Sequence, residues 1–262
     1  MATAIANDVD ATFNFAADRN DGGRHNNHDD VHEGLKLTSK DFKVTDARAA
    51  SPAPSLGVEG FTLAEHKLDN PDWFNEEWID EVYAPSCEAL VQRLTGAKEC
   101  IQFFRPLKRI ADPDARGEHM VTAGFVHIDH PREVGEAISR MFVEKHGKTF
   151  KKAVLYNVWK TFTPAPQDRP LAVTDRRTVP EDAHVIGVTV EEDSETPYII
   201  LAPNEECEFY YYPDMSADES LVFTGIDFDP ENPLGCAHSA FSHPDGGVSR
   251  SSVEARIVAI FE

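Results

Sequence analysis

From Lys152 onward the chain is cut into short apolar pieces that leave no room for a long helix. The segments "KAVLYNVWKTF", "RPLAVTD", "AHVIGVTV", "PYIILAP", "CEFYYYP", "SLVFTGIDFD" and "SVEARIVAIF" are β-branched or aromatic and are separated by Pro, Asp and Gly turns. Strands this short cannot stand alone, so they are expected to close on one another as a sandwich or barrel. Two helical patterns come first. In "NEEWIDEVYAPSCEALVQRL" the residues Trp78, Val82, Ala89, Leu90 and Leu94 fall at helical intervals, with Pro85 bending or splitting the helix. "TGAKECIQFFRPL" then reads as a turn and a strand. In "HPREVGEAISRMFVEKHG" Pro131 suits the first helical position, Val134, Ile138, Met141 and Phe142 form an apolar stripe, and Gly147 can close the helix. The expected fold class is mainly β with flanking helices, the helices packed on one outer face. No internal repeat is present.

A chain of 262 residues can bury a substantial core. Residues 1–55 are polar, with "DRNDGGRHNNHDD" and "DARAASPAPS" too poor in apolar surface to offset their ordering entropy. They are expected to form an N-terminal extension, partly disordered or loosely packed, able to lay short strands on a domain spanning 56–262. His25, His28 and His32 lie in that extension, where no apolar framework fixes them, so they read as a solvated tail rather than a metal site.

With 46 acidic against 25 basic residues the net charge is -21, which repels phosphate backbones and anionic lipids. Nucleic-acid and membrane partners are therefore not expected; small molecules are, and a homodimer is allowed. No apolar run approaches the length of a membrane span. The first residues lack the basic-then-apolar order of a secretory signal, and the four cysteines are far apart without a C-x-x-C pair, as suits reduced thiols in a cytoplasmic protein.

The densest chemistry lies in "GFVHIDHPREVG", residues 124–135. In a strand, His127 and Asp129 share a face while Ile128 packs on the other, and a helix starting at Pro131 leaves the pair at the strand's mouth. The equally spaced "HDD" at His28 to Asp30 has no such strand. A facial ferrous centre takes two imidazoles and one carboxylate and keeps its other positions open. The second imidazole must come from later, either His238 in "GCAHSAFSHPDGG" or His243 nearer the Gly-rich turn. An R-x-S pair, Arg250 and Ser252, follows His238 by twelve and fourteen positions and favours it, because a guanidinium fork with a hydroxyl can grip a carboxylate. Arg256 shares that strand face as a second candidate clamp or as an ion-pair partner of Glu254. Alternation in "YNVWK" points Asn157 and Trp159 inward. A buried amide needs a partner, which a bound carboxylate could supply to Asn157; Trp159 and one or more of Tyr210, Tyr211 and Tyr212 are placed around the same centre.

His-x-Asp, a later histidine and R-x-S after it resemble the non-haem Fe(II), 2-oxoglutarate-dependent dioxygenases. More specifically, "LYNVWKTF", "DRPLAVTDRRTV", "EFYYYPDMSADESLVFTGIDFD" and "AHSAFSHPDGGVSRSSVEARIVAIF" resemble the CmcJ/NvfI-like secondary-metabolism branch, over roughly residues 56 to 262. The resemblance implies a double-stranded β-helix (jelly-roll, cupin-like) core, with Fe(II) held by His127, Asp129 and His238. It also implies 2-oxoglutarate gripped by Arg250 and Ser252, with O2 as the second cosubstrate. The reaction implied begins with hydrogen abstraction from a small molecule, an amino acid or a secondary-metabolite intermediate, and ends in hydroxylation, desaturation or cyclisation. Trp159, Tyr211 and Lys160 are the expected substrate contacts, although Lys160 stands where that branch more often has arginine. Position 243 is His where an acidic residue is expected, which keeps His243 a rival ligand. Two other readings stand beside this one: a non-catalytic metabolite- or partner-binding barrel without metal, and a zinc hydrolase, which has no use for a second carboxylate grip.

Overall fold

The computed structural model describes residues 7–26, 31–110, 124–191 and 194–262. The strands begin with β1 (Val9–Ala16), β2 (Arg24–Asn26), β3 (Val31–Glu33), β4 (Leu37–Asp46), β5 (Phe61–Glu65), β6 (Glu99–Arg109) and β7 (His127–Ile128). They continue with β8 (Ala153–Thr161), β9 (Leu171–Thr174), β10 (His184–Glu191), β11 (Ser194–Leu201), β12 (Phe209–Tyr211), β13 (Glu219–Asp227), β14 (His238–Ala240) and β15 (Ser252–Ile260). The helices are α1 (Glu76–Trp78), α2 (Ala84–Thr95) and α3 (Arg132–Lys145). Each of the late segments read as a strand is one.

One sheet runs β1-β4-β12-β9-β14-β7-β11-β10-β2-β3 and the other β5-β13-β8-β15-β6. The smaller sheet is antiparallel throughout. In the larger, β4 with β12 and β10 with β2 run parallel. The sheets face each other, with Trp159, Leu221 and Phe223 of the smaller packing on Leu171 and Val173 of the larger. All of β8 is buried, because it is covered on both faces: Val154, Tyr156 and Val158 meet α2, and Trp159 meets the facing sheet. Such a strand need not alternate polar with apolar.

The two helices do not share one outer face, as expected, but lie on opposite sides of the smaller sheet. α2 packs its Cys87, Leu90 and Val91 on Val158, Ala255 and Ile257. Val143 of α3 instead meets Leu155, Ile226 and Val258, which belong to the other face of β8, β13 and β15. Ahead of α2 the segment Ile79–Tyr83 forms a π turn, in which the Ala84 amide donates to the carbonyl five residues back, at Ile79. Pro85 follows at once; it has no N–H to give and crowds the preceding turn, so the turn widens. The extra residue rotates the buried line onto Ile79, Tyr83, Cys87, Leu90 and Val91 and leaves the expected Val82 43% exposed. On α3 the buried line is Gly135, Ser139 and Val143, with Ile138 and Phe142 flanking it, whereas Met141 is 59% exposed. Gly147, at φ 71°, closes this helix as expected.

Where it is described, the N-terminal segment is not loosely packed. β1 pairs antiparallel with β4 from Val9 opposite Val44 to Ala16 opposite Leu37, and β4 runs on beside β12. Ala11, Phe13 and Phe15 alternate onto the buried face, and Phe13 stacks on Phe209 with ring centroids 4.6 Å apart. Period-2 patterning outweighs mean polarity here, which is why composition alone misjudged the segment. His25 is buried on β2, not solvated; His28 and the side chain of His32 lie outside the described residues. The four cysteines are free thiols. Among the described residues no helix is long and apolar enough to cross a membrane.

Just past β5, His66 sits between two serines, with Nδ1 2.9 Å from the Ser220 hydroxyl and Nε2 3.0 Å from that of Ser86. Burial, then the positive charges of Lys160 and Arg93, push it down to about 4. The unfolded chain therefore takes up a proton near pH 6.5 that the folded chain refuses until about 4, so this contribution is full above 6.5 and is lost as pH falls through that window. Between pH 7 and pH 4.5 the wild type is expected to lose about 2–3 kcal/mol more unfolding free energy than His66→Gln, as read by denaturant unfolding. Equal losses in both proteins would exclude His66 as a source.

Candidate active site

His127 and His238 stand directly opposite each other across the antiparallel pair β7 and β14, with ring centroids 4.3 Å apart. One ligand atom each from His127, Asp129 and His238 lies within 4.8 Å of the others, the only such gathering of His, Cys, Asp or Glu among the described residues. Local bonds aim the rings. His127 Nδ1 donates to the Phe125 carbonyl at 3.0 Å and His238 Nδ1 to the Cys236 carbonyl at 3.3 Å, which fixes the tautomer and leaves each Nε2 lone pair as the available donor.

Asp129 follows β7 immediately and is held on both oxygens. Its Oδ1 accepts from Arg256 Nη2 at 2.8 Å and its Oδ2 from Asn157 Nδ2 at 2.9 Å. Burial and the neighbouring His238 hold His127 down to about 3, and burial lowers His238 as well, so both rings are neutral at physiological pH. Burial alone would raise the Asp129 carboxyl, but the Arg256 guanidinium beside it outweighs burial and keeps the group ionised. Two neutral imidazoles and a carboxylate are the donor set of a ferrous facial site.

A narrow cleft leads from these three residues past Trp159 to Arg250, with Arg109, Glu254 and Arg256 on its walls. Arg250 lies in the loop before β15 rather than on the strand. Its Nη1 donates to the Arg169 carbonyl at 2.9 Å, and its guanidinium carbon stands 5.4 Å from the centre of the Trp159 ring. Burial pushes it down to about 9, still above neutral pH.

Other expected site residues fall differently. Ser252 is buried at the start of β15, opposite Thr161 and Arg109, and does not line the cleft. Arg256 is no free clamp, since it bridges Asp129 and Glu254, the latter through Nε at 3.1 Å. Asn157 finds its carboxylate in Asp129 rather than in a bound molecule. Lys160 points to the opposite face of β8, where its ammonium donates to the carbonyls of His66 at 2.8 Å and Glu219 at 3.1 Å, so it is not a substrate contact. Tyr211 is buried among Phe13, Phe209 and Phe241 and donates to the Asn7 carbonyl at 2.6 Å, away from the cleft. Tyr210 bonds Glu208, and Tyr212 packs between the sheets. His243 sits beside Tyr211 and Phe241, at 6.2 and 6.3 Å between ring centres, and takes no part in the gathering of three.

On its other side the trio opens into a cavity of about 490 Å³ whose walls include Phe103, Phe125, Tyr198, His25, His130 and Arg109. His130 is adjacent to Asp129 in sequence and was legible as part of "HIDH"; its Nδ1 donates to the Pro197 carbonyl at 3.1 Å. Phe125 lies in the same stretch, just ahead of β7; the others had no local signal, since they come from β2, β6 and β11. The rim is shaped by an irregularity of β6. Leu107 pairs with Glu254 and Phe103 with Arg256, so Phe104, Arg105 and Pro106 bulge out opposite a single residue, and Phe104 takes a left-handed φ of 60°.

The model of a protein family described as the oxidoreductase/YMDC permease-like domain matches residues 6–260. The chain is 29% identical to the alpha-ketoglutarate-dependent dioxygenase phiK of Fungal sp. (strain ATCC 74256), over 97% of this chain and 96% of that protein. It is 28% identical to the hydroxylase/desaturase efuI of Hormonema carpetanum, over 97% of this chain and 95% of that protein. Among solved structures, the iron and alpha-ketoglutarate-dependent endoperoxidase NvfI aligns with a TM-score of 0.79 at 22% identity, covering 97% of each chain. That likeness shows the fold, mainly β and of the double-stranded β-helix type that the resemblance implied.

Proposed function

The chain belongs to the oxidoreductase/YMDC permease-like domain family, and from that premise we propose that it is a non-haem iron, 2-oxoglutarate-dependent oxygenase of secondary metabolism acting on a small molecule. The observation that carries this reading is the convergence of His127, Asp129 and His238 within 4.8 Å, with both Nδ1 atoms already committed to carbonyls. The donor set fits iron: two neutral imidazoles and one ionised carboxylate, all from one side, leave positions for a chelating keto acid and dioxygen. A full-length relative described as alpha-ketoglutarate-dependent supports the same cosubstrate.

In this reading His127, His238 and Asp129 hold Fe(II), which when bound supplies the activation of dioxygen that is coupled to decarboxylation of 2-oxoglutarate. The chain's own residues do the rest by placement. The cleft to Arg250 takes the cosubstrate lengthwise, its far carboxylate meeting the guanidinium through charge-assisted bonds. Trp159 lies along the cleft beneath Arg250 and fixes the guanidinium plane. The aromatic walls of the larger cavity hold the substrate against the open side of the site and exclude water. Hydroxylation, desaturation and cyclisation all begin with removal of one substrate hydrogen, so the pose imposed by these walls selects the outcome. Four free thiols suit a cytoplasmic location.

Anaerobic addition of Fe(II) and 2-oxoglutarate to the purified protein is expected to give a weak visible charge-transfer band that needs both components, and admission of air should yield succinate. Absence of the band together with absence of succinate would refute the assignment.

A further inference from the structure

We propose that Gly225, on a strand that carries none of the three metal-facing residues, positions Asp129 by keeping open the slot in which the Asn157 amide lies. The inference rests on the iron reading above. β13 and β8 pair residue by residue until Thr224 opposite Tyr156; the next pair is Ile226 opposite Leu155, so Gly225 is the extra residue of a bulge. Bulges commonly re-aim neighbouring side chains. Here a Cβ built on Gly225 would lie 2.5 Å from Asn157 Oδ1 and 3.3 Å from its Cγ, with the backbone oxygen of Leu155 also at 3.3 Å. Any side chain at 225 therefore pushes the amide out of its place.

The amide is held in that place at a cost. Asn157 is fully buried and its Oδ1 has no hydrogen-bond partner, which a core seldom tolerates without a reason. The reason lies at the other end of the amide, where Nδ2 donates to Asp129 Oδ2; a flipped amide would set oxygen against carboxylate. Together with Arg256 on Oδ1, this bond ties down both carboxylate oxygens. Arg256 is itself fixed by Glu254 and cannot follow a moving partner freely. If the Asn157 bond is lost, Asp129 is free to swing into a two-oxygen pairing with the guanidinium, the geometry such pairs favour, and is drawn away from the metal. Gly225 and Asn157 are thus positioning residues that act through Asp129.

The test is a double-substitution cycle read by titrating Fe(II) into anaerobic protein with saturating 2-oxoglutarate. Gly225→Ala and Asn157→Ala are each expected to weaken iron binding by about 10-fold or more and to shift the band maximum. The double variant should bind no more weakly than Asn157→Ala alone, because the added methyl then meets vacated space. Thermal midpoints of the metal-free proteins separate positioning from unfolding, and Asn157→Ser repeats the cycle if the alanine variant does not fold. Wild-type affinity and an unshifted band in Gly225→Ala, or losses that add in the double variant, would overturn the proposal while leaving the iron assignment standing. A wild-type protein that forms no band at all would overturn both.

Discussion

Removal of the His238 imidazole is expected to erase the Fe(II)- and 2-oxoglutarate-dependent band and to lower ferrous affinity by more than about 100-fold, beyond what loss of an outer-shell partner costs. The ring is buried and stands across the ladder from His127, so in His238→Ala the two donors that remain, His127 and Asp129, come from one short stretch and offer only one side of the ion. Its Nδ1 is pinned to the Cys236 carbonyl and its ring lies 4.8 Å from that of Phe223, so the fold sets the direction in which its Nε2 points. His243→Ala is the matched control. That ring is half-buried beside Tyr211 and Phe241, and its loss should leave the band unchanged. Because His238→Ala also leaves a small cavity, a stability cost of about 1–2 kcal/mol is expected and is read separately by denaturant unfolding of the metal-free protein. A band that survives in His238→Ala and vanishes in His243→Ala would transfer the role to His243 and contradict the geometry.

The strand segments and the His-x-Asp pair were legible because both depend on short-range order. Turn residues bound each strand, and two side chains two positions apart need only a strand to share a face. Much of what contacts across the fold decide was not legible, although His238 does stand opposite His127. The buried line of α2 is displaced by a π turn that no hydrophobic period reports. The resemblance implied a substrate contact at Lys160, but adjacent residues of a strand covered on both sides serve different faces, and Lys160 lies on the one away from Trp159. Nothing local separates Tyr211 from Tyr210 and Tyr212, whereas β12 lies between β4 and β9 and carries it into the aromatic cluster around Phe13. Arg256 was singled out, yet its partner, Asp129, lies 127 positions away, and only the close approach of β15 to the end of β7 makes it a carboxylate holder rather than a clamp. Gly225 offered no signal at all, since its role is to leave space.

A second large effect is expected at the far end of the cleft, where Arg250→Ala should raise the KM for 2-oxoglutarate by about 30- to 100-fold, the 2–3 kcal/mol typical of a hydrogen bond to a charged group. Arg250→Lys should recover part of the loss, since an ammonium keeps the charge but lacks the planar fork and cannot lie along Trp159 in the same way. Iron binding without 2-oxoglutarate should be unaffected in both, because none of the metal-facing residues is hydrogen-bonded to Arg250. This split, cosubstrate KM changed and metal affinity unchanged, sets a clamp apart from a general loosening of the fold. Ser252→Ala is expected to change KM far less, its hydroxyl lying in the ladder opposite Thr161 and off the cleft wall. The R-x-S pair would then owe its function to the arginine, with the serine at the strand start that brings the loop into place. An unchanged KM in Arg250→Ala would move the carboxylate grip to Arg109, which lines both the cleft and the larger cavity. The cosubstrate would in that case lie across the site instead of along it, and the space left for the substrate would be correspondingly smaller.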